Sequence, residues 1–115
     1  MKYEESGRVS VEITMKDGRL GNFPMEFVPQ CYMRGGRWLP GVNLEKGYEA
    51  VEEFTGCDWV SEGIGYHYAE GKSVEEEIHD YDDNFLGSWK ILLDGKPTTY
   101  AELEEIAFGL YTEEE

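Results

Sequence analysis

The sequence predicts an α+β domain in which a mostly antiparallel sheet, opened by an N-terminal β-meander, is covered on one face by two or three helices. Three observations lead there. Apolar and polar residues alternate through much of the first forty positions, the period of half-buried strands. After Gly41, helical spacings with cap residues interleave with short strand patterns. Fourteen glycines in 115 residues, about twice the usual share, supply the turns between many short elements.

Val9, Val11, Ile13 and Met15 alternate with Ser10, Glu12, Thr14 and Lys16, a first strand. Asp17-Gly18 suits a two-residue hairpin turn. The return strand is expected from Leu20 to Val28, with Phe23, Met25 and Phe27 on one face. Pro24 within it has no backbone donor, which marks an edge or a bulge. Gln30–Arg34, Gly35-Gly36 and Arg37–Leu39 read as a further strand or short hairpin. Asn43 is then an expected N-cap for a helix with Leu44, Tyr48, Val51 and Phe54 on one face and Gly56 as its stop. Ile64, Tyr66 and Tyr68 alternate with Gly65 and His67, a strand pattern. Ser73 with Glu76 forms a capping box for a short helix to about His79. Leu86–Leu93 reads as a buried strand closed by a turn at Asp94, Gly95 and Pro97. Thr99 with Glu102 is a second capping box, opening a helix with the stripe Tyr100, Leu103, Ile106, Ala107, Leu110. The expected order is βββ-α-β-α-β-α, one domain over residues 1–112 with a frayed acidic tail at 113–115.

Charge divides this chain unequally. Residues 1–40 carry six basic and five acidic side chains, and residues 41–115 carry four basic and twenty acidic, for a net charge of -15. A pI near 4.4 excludes direct binding to nucleic-acid backbone or an anionic membrane, which need a basic footprint. Hydrophobic residues at 40% and aromatics at 14% exclude an acidic disordered tail. Met1–Lys16 contains Glu4, Glu5 and Glu12 and no apolar run, so neither a signal peptide nor a membrane span is expected, and the chain reads as cytoplasmic. Cys31 and Cys57 fit reduced thiols in that compartment, with a single bridge as the alternative.

Chemistry has one local candidate, His79, Asp80, Asp82 and Asp83, an imidazole and three carboxylates of the kind that hold Mg²⁺, Mn²⁺ or Ca²⁺. Asp80, Asp82 and Asn84 match positions 1, 3 and 5 of a calcium loop, but Phe85 stands at position 6 and Ile91 at position 12, where Gly and Glu are needed. A solvated acidic turn is the plainer reading, and no cofactor is expected. Cys57 with His67 or His79 is the one thiol-base option, and Cys57 is disfavoured as a nucleophile just past a helix C-terminus and beside Asp58. Trp89 alternates with Ile91 and Leu93 and reads as core; Trp38 beside Arg37 reads as the exposed tryptophan. Arg8, Arg19, Arg34 and Arg37 read as solvated charges guarding strand edges.

Two function classes follow. The first is a non-enzymatic protein-binding module that meets a basic protein surface through its carboxylates, as a nucleic-acid-mimicking inhibitor or immunity-type protein of a phage or mobile element does. A globule of about 35 Å spans ten base pairs with roughly twenty phosphates, and residues 41–115 hold twenty carboxylates. The expected contributors are Glu49, Glu52, Glu53, Glu75, Glu76, Glu77, Asp80, Asp82, Asp83, Glu102, Glu104 and Glu105. The alternative is a metal-assisted hydrolase or ligand-binding enzyme built on His79–Asp83, with His67 as base.

Overall fold

The computed structural model of the protein describes residues 8–44, 47–71 and 73–112, so the tail at 113–115 lies outside the described residues. Its elements are β1 (Val9–Met15), β2 (Leu20–Arg34), β3 (Arg37–Leu44), α1 (Tyr48–Thr55), α2 (Val60–Glu70), β4 (Glu75–His79), β5 (Phe85–Leu93), β6 (Lys96–Pro97) and α3 (Tyr100–Thr112). The sheet runs β3-β2-β1-β5-β4, every pairing is antiparallel, and β6 adds to β5. The chain has the α+β architecture that its sequence predicts.

β1 is the central strand because both of its neighbours are long and its inward side chains are the most apolar. Val9, Val11 and Ile13 are fully buried, while Ser10, Glu12 and Thr14 face outward. Against the inner face pack Met25, Phe27, Val42, Trp89, Ile91 and Ile78 from the sheet and Val51, Val60, Ile64, Tyr68, Leu103 and Ala107 from the helices. α3 lies on β3 and β2, α2 on β2 and β3, and α1 on α2 and β2. Thr99 caps α3 as expected, its Oγ1 accepting the Glu102 N–H at 3.2 Å.

β2 is longer than expected and carries a bulge. Its register with β3 shifts between Val28 and Tyr32, where Cys31 Sγ donates to the Val42 carbonyl at 2.8 Å. Opposite the bulge, a Cβ on Gly41 would stand 2.6 Å from the Tyr68 ring, so the close packing of α2 requires glycine there. Pro24 pairs with Ser10 of β1, and the β3 register starts one residue later, at Met25. The missing donor therefore sits where the described pairing on the β3 side begins. Gly35-Gly36, both at positive φ, close the β2–β3 hairpin.

Three local expectations are corrected. Asn43 and Leu44 belong to β3, with Leu44 buried in the sheet, and Gly47 stands at the start of α1 without a side-chain cap. The segment Ile64–Tyr68 is helix, part of α2. Val60, Ile64 and Tyr68 are i, i+4 and i+8 and all are buried, so a five-residue alternation was half of a helical face. Ser73–His79 is the strand β4: Ser73 Oγ accepts the Glu75 N–H at 3.0 Å and bonds the Glu75 carbonyl, so it tucks into its own turn. What decides for a strand is β5, whose Trp89 is paired with Glu76 across the sheet. The observed order is thus βββ-αα-βββ-α.

Candidate functional site

β4, β5 and the loop between them form a hairpin that holds six of the twelve carboxylates singled out above: Glu75, Glu76, Glu77, Asp80, Asp82 and Asp83. The other six are elsewhere. Glu49, Glu52 and Glu53 are on α1, which runs into Cys57, a residue near enough to Asp80 for that carboxylate to bear on its thiol. Glu102, Glu104 and Glu105 are on α3, over the β3–β2 side of the sheet. The Thr55 end of α1 shares a pocket with Leu86 of β5, near the hairpin tip, and α3 packs on β3 and β2.

Several of these carboxylates are engaged inside the protein. Glu52 accepts from Ser61 at 2.9 Å, and Glu102 from Thr98 at 2.6 Å. Glu104 takes Arg34 at 3.2 Å and the Tyr32 hydroxyl. On the hairpin the partners are different. Glu76 meets His67 of α2 at 3.0 Å and Glu77 meets His79 at 3.1 Å. The cations fall to other acids: Arg8 to Asp94, Arg19 to Asp17, Arg34 to Glu104 and Lys90 to Glu12. Among the described residues, none of the six hairpin carboxylates has a lysine or arginine partner.

The hairpin tip is a fixed loop. Asp80 Oδ1 accepts the N–H groups of Asp82 and Asn84 at 2.8 and 2.9 Å, and Oδ2 accepts Asn84 Nδ2 at 3.0 Å. These donors, the Asn84 side chain first, hold the Asp80 carboxyl below the usual range. Asp83 adopts a left-handed φ of 64° and gives its N–H to the Asp80 carbonyl at 3.0 Å. Tyr81 stands out of this loop at 91% exposure, and Phe85 below it, 40% exposed, meets the His79 ring edge-on at 5.8 Å.

As a metal centre the cluster does not converge. Asp80 is consumed by its own loop, and His79 turns to Glu77 and the Asp83 carbonyl. Among the described residues no three His, Cys, Asp or Glu side chains are grouped to hold a metal. His67, the candidate base, is on a helix and faces Glu76, while Glu77, the partner of His79, points to the opposite face of β4.

The free edge of β4 is guarded against strand addition. Ile91 N–H donates to the Val74 carbonyl, so Glu76 and Ile78 point their backbone groups at β5 and Glu75 and Glu77 point theirs outward. Ser73 occupies the outward groups of Glu75, and a bulge separates Ile78 from His79. A short, charged, bulged edge is how a sheet avoids pairing with another chain. A partner therefore meets mainly the side chains of this edge. Glu75, Glu76, Glu77, His79, Ser88 and Trp89 line a groove of about 520 Å³ there.

The two cysteines are free thiols. Burial pushes Cys31 up to about 12; burial, then Asp80 and Asp58, also raise Cys57. At pH 8 only about one Cys31 in ten thousand is thiolate. Iodoacetamide at that pH is expected to leave both cysteines unmodified in the folded protein and to label both in urea, read by intact mass. Labelling of either at the rate of free cysteine would contradict the placement.

The hydrogen bond to Glu77 raises the pKa of His79 above 6.5, against a smaller desolvation effect. The folded form thus holds the proton more tightly than the unfolded one. The contribution of this pair is full below the unfolded histidine value and is lost as pH rises through the raised one. A Glu77→Gln variant should move the His79 midpoint down in an NMR titration. An unchanged midpoint would remove the pair from the account.

Three of the arginines are paired with separate carboxylates, Arg34 stands opposite Arg37 in the β2–β3 hairpin, and Trp38 there is 54% exposed, opposite Met33. Tyr81 and Phe85 are surface features that the residue patterns did not single out. The available signal was an aromatic between two aspartates, with His79 and Asp83 instead of apolar residues at the strand spacing on either side.

Among the described residues no helix is long and apolar enough to cross a membrane. The chain matches no protein-family model, no curated protein and no solved structure.

Proposed function

We propose that this protein is a non-enzymatic binding module that presents the β4–β5 hairpin to a basic protein surface. The observation that carries this reading is the set of six hairpin carboxylates without a lysine or arginine partner among the described residues, against histidine pairs only. Lys90, opposite Glu75 in the register, is the hairpin's own cation and is taken by Glu12; the excess of negative charge that remains on a fixed hairpin steers a partner of opposite sign. The carboxylates near the Thr55 end of α1 extend the field; those of α3 are on the helix that covers β3 and β2.

A basic surface that normally binds nucleic acid is the partner class this favours, since such surfaces space their cations to match phosphates. Neutralising a nuclease, a toxin or another nucleic-acid-binding protein would be the consequence. The test is an affinity column of the protein at 50 mM salt, with recovered proteins identified by mass spectrometry. A basic partner released between about 50 and 200 mM salt is expected. Recovery of nothing, or of partners indifferent to salt, would overturn the reading.

A further inference from the structure

The hairpin tip displays an aromatic ring that folding does not use. Tyr81 is 91% exposed, whereas the loop beneath it is locked by Asp80 and Asn84. With the backbone beneath it fixed, only the two side-chain torsions of Tyr81 remain to be ordered on binding, a small cost that makes exposed tyrosines effective anchors. Asp82 and Asp83, both exposed, follow it in the chain, and Asp80, the other neighbour, is occupied within the loop.

The same molecule shows what it does with rings beside carboxylates. Arg34 lies over Tyr32 and Tyr100, 5.1 and 5.5 Å from their centroids, while its Nη1 donates to Glu104. Arg19 lies 5.1 Å over Phe54 while its Nε donates to Asp17 at 2.9 Å. In each case a guanidinium lies within about 5.5 Å of a ring centroid and also bonds a carboxylate, and Arg34 in addition donates to the Tyr100 hydroxyl. A lysine ammonium has no plane with which to do both. Tyr81, Asp82 and Asp83 are consecutive and all exposed, so one loop offers a ring and carboxylates to the same partner.

We propose that Tyr81 is an arginine-stacking anchor, so that the hairpin recognises arginine on its basic partner in preference to lysine. This rests on the proposed function above and names the side chain recognised. Ion pairing alone treats the two cations nearly alike; stacking is the part that tells them apart.

The experiment is calorimetry of the full chain at 50 mM salt with deca-arginine and with deca-lysine, repeated on Tyr81→Leu. The exposed position makes the variant fold as the parent does, checked by circular dichroism. Tyr81→Leu is expected to weaken deca-arginine about two- to fivefold and to leave deca-lysine within about twofold. If both peptides bind and their ratio is the same in Tyr81→Leu, the anchor is wrong while the acidic hairpin stands. If neither peptide binds the parent protein, the acidic-hairpin reading fails and the anchor with it.

Discussion

Gly87→Ala is expected to lower the melting temperature by roughly 12–18 °C, corresponding to about 3 kcal/mol. Gly87 lies in β5 where the strand is paired on both sides, with Met15 of β1 and Ile78 of β4. A Cβ there would stand 2.4 Å from the Thr14 carbonyl oxygen and 2.8 Å from the Met15 Cα. Both are backbone atoms of the central strand, so relief requires β1 and β5 to move apart and lengthens their ladder. No side-chain rotation removes the clash. Gly65→Ala is the control. It lies in α2 with nothing within 4 Å of the added carbon, and alanine there should stabilise by roughly 0.5–1 kcal/mol. Thermal unfolding by circular dichroism reads both. A Gly87→Ala protein that melts with the parent would mean that β1 and β5 are not registered as described.

The second large effect concerns binding. Glu75→Gln, Glu77→Gln, Asp82→Asn and Asp83→Asn together are expected to weaken a basic partner about thirtyfold at 50 mM salt, at roughly 0.5 kcal/mol for each exposed charge. The salt dependence should become shallower, because fewer charges are matched. Asp80 is left in place because its carboxylate holds the loop. The fold should tolerate the four changes, since Glu75, Glu77, Asp82 and Asp83 are all exposed and like charges are being removed. Glu105→Gln on α3, also an exposed carboxylate, should change affinity less than twofold. Equal losses per charge removed from α3 and from the hairpin would point to net charge as the determinant, and no loss from the hairpin variant would end the proposal.

The strands β1 and β5, the turn at Asp94-Gly95, the Gly56 stop and the capped helix α3 were legible because each carries its signal within a few residues. Alternation, a left-handed turn pair and a threonine three residues before a glutamate are local facts. β4 and α2 were misread for the complementary reason. Val60, Ile64 and Tyr68 form a helical face only when read across the start of the pattern, and two glycines and His67 interrupt it. Glu75–His79 has one fully buried apolar side chain, Ile78, so its state is set by the partner strand waiting beside it.

The same division holds for the candidate site. That carboxylates crowd residues 41–115 is a property of composition, and the alternation of Trp89 with Ile91 and Leu93 is one of spacing; the raised thiol of Cys57, expected from Asp58 and the helix end, comes first from burial and then from Asp80. Which acids share a surface, which are neutralised, and that Tyr81 projects from a fixed loop could come only from tertiary structure. Arg34 finds Glu104 across 70 positions of sequence and Arg8 finds Asp94 across 86. Long-range pairing by strand order and helix docking, which no short window of sequence encodes, decides where a count of charges becomes a face.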